Sequence, residues 1–416
     1  MKGRGSTAAI AVSGLLWVSA CAGAVLALSG CTSCQSTVRQ VALPALAAGS
    51  FDGVEADQTA HRIYLADRTN NKVAVVDMSS AKPQFVGTID VAGTPNGLGV
   101  APKLHRLYAG MADGNLVVVD TDPQSPRAMQ VIDKISVDKT SADLLDYSAG
   151  LQRVFVSTGI GGEVVSVDVA GTQAQQRFAL KAPVGQPRYD PTDGMLYVTT
   201  PSTDSLLKIN PADGKVVSTI KLAGCHPYGL AINPGRQLAL TTCRSSVAVV
   251  NLQNNAFDVS RAVAGGDIVT YDAAADRFVV ASPHGNTDSS VSAFYGDGHL
   301  IGSVSGTPVT HGAAFDAQHG VVYAPAAAGL LSFAPGACEP PPDGLRFAGG
   351  MSFFLAPLLA FALFLYLYAR HRRRGGPKRL TYEELRKQDM VTERERMLEL
   401  EDSILGPVNQ EWRPEA

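Results

Sequence analysis

The chain has 416 residues and a formal net charge of −3, and 45% of its residues are hydrophobic. A chain with this charge balance lacks the broad positive field of nucleic-acid-binding proteins, so nucleic acid is not an expected partner. Its six cysteines form neither a CxxCH haem site nor a paired CxxC zinc pattern.

Residues 1–31 predict an export signal, because a positively charged start precedes an apolar stretch from Ala8 to Leu28. The run Leu28-Ser-Gly-Cys31 resembles a bacterial lipobox, in which Cys31 would be lipidated. A second match ends at Cys21. Ordinary cleavage and an uncleaved membrane helix are the alternatives, since the stretch is long enough to span a bilayer.

A repeated unit fills residues 37–335. Each copy holds a short apolar run, a polar turn and a second apolar run that ends near Asp or Asn. The second halves begin 40 to 47 residues apart, at Ile63, Leu107, Val154, Leu196, Leu238, Phe278 and Val322. Repeats of this length made of short strands are typical of propellers with one four-stranded sheet per blade. The sequence therefore predicts an all-β fold, a seven-bladed β-propeller over residues 37–335.

The first and last segments of this region predict how the ring closes. Residues 37–44 resemble the outer strand of a blade but have no preceding strand to pair with. The last copy has strands near 310–315, 320–324 and 330–333 and lacks an outer strand. We therefore expect residues 37–44 to complete blade seven, which removes an open sheet edge.

Four cysteines are placed to form two disulfides. Cys225 precedes the first strand of blade five and Cys243 ends its second strand, so antiparallel pairing brings them together. Cys34 precedes the closing strand and Cys338 follows the last inner strand, so a second bridge would lock the ring. The alternative in each case is a pair of free buried thiols.

The C-terminal region predicts a membrane anchor. Residues 336–346 are a Pro-rich spacer, and residues 347–369 form an uncharged stretch long enough for a transmembrane helix. The basic cluster that follows places residues 370–416 in the cytoplasm and the propeller on the extracytoplasmic side of a bacterial cytoplasmic membrane. An amphipathic helix over 381–405, with a capping box at its start, would dock on a partner or on the membrane surface.

The repeats resemble the YVTN family of β-propellers. The best copies are Gly93-Thr-Pro-Asn-Gly97 with Val117-Val-Val-Asp120, and His226-Pro-Tyr-Gly229 with Val247-Ala-Val-Val-Asn251, and Leu196-Tyr-Val-Thr-Thr200 is closest to the name-giving motif. The resemblance covers about residues 37–335. It implies a seven-bladed propeller similar to lactonases and quinoprotein dehydrogenases, a fold that serves many functions.

One residue per blade is expected at the mouth of the central channel, just before the second Gly of the motif. Counting back from each repeat anchor gives Asp52, Asn96, Asp143, Gln186, Tyr228, Asp267 and His311, all of them polar. His226 is expected on the same face. Such a ring predicts a site for a divalent cation or another polar ligand, and the alternative is a solvent-filled rim without a specific ligand.

Two functional classes follow from this organisation. The first is a binding or scaffold module, attached to the lipid bilayer, that presents one face to a protein or a small ligand while its tail docks a cytoplasmic partner. The second is an enzyme, a lactonase-like hydrolase or a quinoprotein-type oxidoreductase with its site at the channel mouth. We expect the first, because the repeats carry no catalytic motif such as GxSxG or HExxH.

Overall fold

The computed structural model describes residues 38–44, 46–169, 174–283, 289–305, 310–326 and 329–336, together with Tyr366. The chain divides into two units, Met1–Cys338 and Glu339–Ala416, and every described residue except Tyr366 belongs to the first. Within the described part of the first unit, seven four-stranded antiparallel sheets make up the fold. This confirms the predicted all-β, seven-bladed propeller.

Blades are numbered in chain order, and their strands run outwards from the channel. Blade one contains β2 (Phe51–Asp57), β3 (Arg62–Asp67), β4 (Lys72–Asp77) and β5 (Gln84–Asp90). Blade two contains β6 (Pro95–Ala101), β7 (Arg106–Met111), β8 (Asn115–Asp120) and β9 (Gln130–Ser136). Blade three contains β10 (Leu145–Ser148), β11 (Arg153–Ser157), β12 (Glu163–Asp168) and β13 (Ala174–Ala179). Blade four contains β14 (Pro187–Asp190), β15 (Met195–Thr200), β16 (Ser205–Ile209) and β17 (Val216–Lys221).

The remaining blades follow the same order. Blade five contains β18 (Leu230–Asn233), β19 (Leu238–Thr242), β20 (Val247–Asn251) and β21 (Phe257–Ser260). Blade six contains β22 (Val269–Asp272), β23 (Arg277–Ser282), β24 (Ser290–Tyr295) and β25 (Leu300–Ser305). Blade seven contains β26 (Ala314–Asp316), β27 (Val321–Ala326), β28 (Gly329–Phe333) and, as its outer strand, β1 (Arg39–Val41). Short 3-10 turns occur at Pro102–Leu104, Gly159–Gly161 and Pro201–Thr203.

The ring closes as predicted, through the first strand of the chain. β1 pairs antiparallel with β28, so that Arg39 lies opposite Ser332 and Val41 lies opposite Leu330. Leu43, just after β1, is buried in the cluster shared by blades seven and one. The closing strand therefore contributes both backbone pairing and apolar packing.

The hydrophobic core lies between neighbouring blades. Between blades one and two, Tyr64 and Val73 pack with Leu107 and Val117, and each of these side chains is almost fully buried. Consecutive residues of the middle strands are apolar and buried, because the blades on either side cover both faces of each sheet. This explains why the middle strands read as short apolar runs.

Glycines permit the inner strands to approach one another around the axis. The position after the mouth residue is Gly53, Gly97, Gly229 or Gly312 in four blades. A Cβ atom added at any of these positions would overlap backbone atoms of the next blade. Only glycine, which has no side chain, allows the inner strands of neighbouring blades to lie this close together. This accounts for the second Gly of the repeat motif.

The predicted disulfide between Cys225 and Cys243 is confirmed. Their Cα atoms lie 4.5 Å apart, and both residues are buried. The bridge joins the segment before β18 to the residue that follows β19. The predicted partners Cys34 and Cys338 lie outside the described residues.

The membrane predictions concern parts of the chain that the structure does not describe. These are residues 1–31 with Cys21 and Cys31, spacer residues 337–346, the apolar stretch 347–369 except Tyr366, and residues 370–416. Among the residues that are described, no helix has the length and apolar character needed to cross a bilayer.

Candidate functional site at the channel mouth

The predicted mouth residues of six blades occupy equivalent positions. In blade one, β2 ends with Asp57 paired to Arg62, and Asp52 stands five residues before that end. The same offset in five further blades gives Asn96, Asp143, Tyr228, Asp267 and His311. All six residues line a cavity of about 530 Å³. We call this space the mouth cavity.

Gln186 occupies a different position from the other predicted residues. Because β14 ends at Asp190, the equivalent residue in blade four is Gly185, and Gln186 lies one residue further along. Its Oε1 accepts hydrogen bonds from the backbone N–H of Leu230 at 2.8 Å and of Val269 at 3.4 Å. Gln186 is 2% exposed, so it closes the channel beneath the mouth cavity rather than lining it.

His226 lies at the rim, in the loop before β18. Its backbone N–H donates to Oδ1 of Asp204 at 2.7 Å, and its Nδ1 lies 3.2 Å from the carbonyl oxygen of Pro201. Pro201 lines the mouth cavity, whereas His226 is not among the lining residues. The structure therefore brings His226 near the mouth without bringing it to the ring of channel residues.

Two of the mouth aspartates form ion pairs. Oδ2 of Asp52 accepts from Arg68 at 2.6 Å, and Oδ2 of Asp267 lies 2.6 Å from Nδ1 of His311. Burial and the charge of Asp267 raise the pKa of Asp52, against the opposing effect of Arg68. The hydrogen bond to Asp267 raises the pKa of His311, which favours its protonated form. Arg68, just after β3, was not foreseen from the sequence.

Asp143 is the mouth carboxylate that has no ion-pair partner among the described residues. Its Oδ2 accepts a hydrogen bond from the hydroxyl of Tyr228 at 3.2 Å. Burial, reinforced by the charge of Asp52, raises the pKa of Asp143 to about 6. At neutral pH the mouth therefore carries a carboxylate whose charge is only weakly compensated, and a cationic group placed beside it would be stabilised.

Asn96 adds an unsatisfied hydrogen-bond acceptor. Its Nδ2 donates to the carbonyl oxygen of Ala142 at 3.1 Å, but its Oδ1 has no partner within the described structure. Asn96 is 4% exposed. A buried acceptor left unpaired costs about 1–3 kcal/mol. Because this oxygen is enclosed by protein atoms, it adds a local cost to the folded state rather than an acceptor for a ligand in the mouth.

The outer wall of the mouth cavity is apolar. Ile160, Pro183, Val184 and Pro201 contribute to its lining. Ile160 stands in the 3-10 turn at Gly159–Gly161 and is 86% exposed. Ile160 therefore adds an exposed apolar side chain to the edge of a charged cavity.

The acidic residues of the predicted divalent-cation site lie at the mouth, but they are not arranged to chelate a metal ion. In the described ranges, no group of three or more His, Cys, Asp or Glu residues is placed to hold a metal ion. The ion pairs of Asp52 and Asp267 explain this, because each carboxylate is directed to a cation of the protein itself.

A second ring of channel residues lies three positions beyond the mouth ring. It consists of Glu55, Gly99, Asp146, Arg188, Ala231, Thr270 and Ala314. Six of them, all but Ala314, line a cavity of about 210 Å³, which we call the inner cavity. A constriction with a free volume of only about 10 Å³, lined by Leu144, Gln186 and Ile268 among others, lies between the two cavities.

The prediction from the sequence, which took one channel residue per blade, did not include the residues of the inner cavity. In blades one and two the pairing register shifts within the inner strand, between Phe51 and Val54 and between Pro95 and Leu98. Such a shift changes which side chains share a face. The available signal was a charged residue at the same offset in three of the first four copies, Glu55, Asp146 and Arg188.

Comparison with protein-family models finds no match for the chain, and comparison with curated proteins finds none either. The propeller is therefore established by its own sheet topology. The resemblance to the YVTN family rests on the repeat motifs alone.

Proposed function

We propose that this protein is a binding module held at a bacterial cytoplasmic membrane, whose propeller binds a protein partner on the extracytoplasmic side. Residues 347–369 would provide the anchor and residues 370–416 would dock a cytoplasmic partner, as their composition suggests. The proposal concerns the mouth cavity, because its charge and shape favour one kind of partner side chain.

The observation that carries the proposal is the charge balance of the mouth cavity. Three aspartates face one arginine and one histidine, and Asp143 is the carboxylate left without an ion pair in the part of the chain that the structure describes. A volume of about 530 Å³ accommodates a Lys or Arg side chain. A basic side chain that enters the mouth would pair with Asp143.

The rim supports a macromolecular partner rather than a free small molecule. A Cβ atom added to Gly159 would lie 3.3 Å from Oδ2 of Asp143, so the turn that presents Ile160 lies directly beside this carboxylate. An exposed apolar residue next to a charged pocket is a common arrangement of an interface anchor and its polar neighbour. We therefore expect the partner to place an apolar residue near its basic one.

Selection of random displayed peptides on the full-length protein in nanodiscs tests this proposal. We expect selected peptides to be enriched in Lys or Arg next to an apolar residue, and to bind Asp143→Asn and Ile160→Ser at least about tenfold more weakly, which corresponds to about 1.4 kcal/mol. The matched control is Asp213→Asn, in the turn between β16 and β17, which should bind like the wild type.

The proposal fails if no basic peptide is enriched, or if enriched peptides bind Asp143→Asn and the control equally well. Either result would show that the mouth cavity is not the site at which the partner binds.

One observation favours hydrolysis as a second candidate function. The 2.6 Å contact between Asp267 and Nδ1 of His311 orients the imidazole, and its other nitrogen is then the group available for proton transfer. A lactonase-like hydrolase would use His311 in this way. If so, the full-length protein should hydrolyse members of a lactone panel, and His311→Gln should abolish that activity, whereas absence of turnover across the panel would eliminate this candidate.

A further inference from the structure

The inner cavity is separate from the mouth cavity and carries its own charged groups. Glu55, Asp146 and Arg188 occupy equivalent positions on the inner strands of blades one, three and four, and all three line the cavity. The strand rise of about 3.3 Å per residue places them about 10 Å beyond the mouth ring.

Arg188 is already engaged by the protein. One of its terminal nitrogens donates to the carbonyl oxygen of Leu145 at 2.9 Å and lies 3.4 Å from Oδ1 of Asp146. Its other terminal nitrogen contacts the carbonyl oxygen of Val269 at 3.4 Å. The guanidinium is therefore held by backbone oxygens of blades three and six and neutralises Asp146, whose Oδ2 also accepts from the backbone N–H of Tyr189 at 2.7 Å.

Glu55 is the charged group that remains. Within the residues the structure describes, its carboxylate forms neither a hydrogen bond nor an ion pair, although the side chain is only partly exposed. Burial raises the pKa of Glu55 to about 7, with Arg188 opposing the shift and the charges of Asp146 and Asp57 adding to it. Two carboxylates and one guanidinium thus leave one negative charge without a partner.

The walls of the cavity suit an organic cation. Tyr147, Tyr189 and Tyr271 contribute to the lining, and the small residues Gly99 and Ala231 leave the space unfilled. Aromatic rings beside a carboxylate attract ammonium groups through cation–π and ionic interactions. At about 210 Å³ the cavity is smaller than a site for a drug-sized ligand.

We propose that the inner cavity is a second binding site, independent of the mouth cavity, which takes a small primary ammonium compound with Glu55 as its counter-ion. Arg188 and Asp146 form the fixed wall against which the ligand lies, and the tyrosines contact its apolar portion. Arg188 is already paired with Asp146, whereas Glu55 has no ion-pair partner among the described residues, so the site favours a cation over an anion.

Equilibrium dialysis of radiolabelled n-butylamine against the full-length protein in nanodiscs at pH 8 tests this inference. We expect one equivalent to bind, and radiolabelled 1-butanol of similar shape to bind at least about tenfold more weakly. Glu55→Gln should weaken amine binding by at least the same factor. This variant removes an enclosed charge, so its unfolding midpoint, followed by circular dichroism, should not fall.

Asp213→Asn, in the exposed turn between β16 and β17, is the matched control, because it removes one carboxylate charge that lies outside both cavities. It should bind butylamine like the wild type. Equal binding of amine and alcohol, undiminished binding by Glu55→Gln, or loss of binding in Asp143→Asn alone would each overturn the inference. The last result would assign the amine to the mouth cavity, so this inference and the proposed partner site are tested independently.

Discussion

Asp143 is the residue of the mouth whose protonation should be visible in folding stability. Its pKa is raised to about 6 in the folded protein from an ordinary value of 3.8. A raised carboxyl pKa stabilises the folded state below the unfolded pKa, and this contribution is lost as pH rises through the folded pKa. Above about pH 6 the ionised carboxylate of Asp143 therefore destabilises the native state.

Replacing Asp143 by Asn should remove that cost. A shift of about two pKa units corresponds to about 3 kcal/mol, and water in the cavity reduces this, so we expect Asp143→Asn to raise the free energy of unfolding by about 1–2 kcal/mol at pH 8. At pH 4 the variant and the wild type should agree. Urea titrations at the two pH values measure this difference in the free energy of unfolding. If Asp143→Asn changed the free energy of unfolding by the same amount at pH 4 and pH 8, the raised pKa assigned to Asp143 would be contradicted.

Single residues also mark the limit of prediction from the sequence. The polar ring was found in six blades because each mouth residue keeps a constant offset from the end of its inner strand. In blade four that offset falls on Gly185, and a count from the repeat anchors, which are 40 to 47 residues apart, selected Gln186 instead. Arg68 was missed because its contact with Asp52 depends on how the loop after β3 turns back.

At the scale of single elements, the glycine that follows the mouth residue in four blades should determine how closely the inner strands approach there. A Cβ atom added to Gly229 would overlap the carbonyl oxygen of Asp267 in the next blade. We expect Gly229→Ala to lower the free energy of unfolding by about 1–3 kcal/mol, since backbone atoms must shift to admit the methyl group.

Gly302→Ala is the matched control for this substitution. Gly302 lies in the outer strand β25, and an added Cβ atom there meets nothing within 4 Å. Its effect should stay within about 0.5 kcal/mol. Chemical denaturation of both variants provides the comparison, and equal stability would show that the inner strands can move apart freely.

The disulfide of blade five is a second element with a measurable contribution. Cys225 and Cys243 are 18 residues apart in the sequence. A crosslink over a loop of this length stabilises by about 3 kcal/mol in the chain-entropy model. The double variant Cys225→Ala/Cys243→Ala should lose that amount in denaturant titration. Dithiothreitol should lower the stability of the wild type by more than that of the double variant, and an effect that remains in the double variant would indicate the predicted Cys34–Cys338 bridge.

For the whole molecule, the repeat length and the unpaired first strand were sufficient to predict the ring and its closure. The predicted partner of residues 37–44 was the last strand of blade seven, and β1 lies against β28. Strand limits were less predictable. The inner strand of blade seven begins at Ala314 rather than near residue 310, because His311 lines the mouth cavity and its carbonyl oxygen accepts from the backbone N–H of Ile268 instead of pairing within its own sheet.

Closure of the ring leads to a prediction about the whole propeller. Deleting residues 38–44 would expose the hydrogen-bonding edge of β28 and remove Leu43 from the cluster between blades seven and one. Because propeller blades pack only against their neighbours, loss of the closing strand should loosen blade seven first. Hydrogen–deuterium exchange should therefore increase across Gly329–Phe333, and the unfolding midpoint should fall.

The control for this deletion keeps the backbone pairing of β1 and alters only an exposed side chain. Arg39 is exposed and lies opposite Ser332, so Arg39→Ala should leave exchange across β28 unchanged. If the deletion and the control exchanged alike, backbone pairing to β1 would not protect the last blade. Increased exchange in the deletion alone would establish that the ring is held shut by its first strand, as a sheet edge left open is otherwise free to fray.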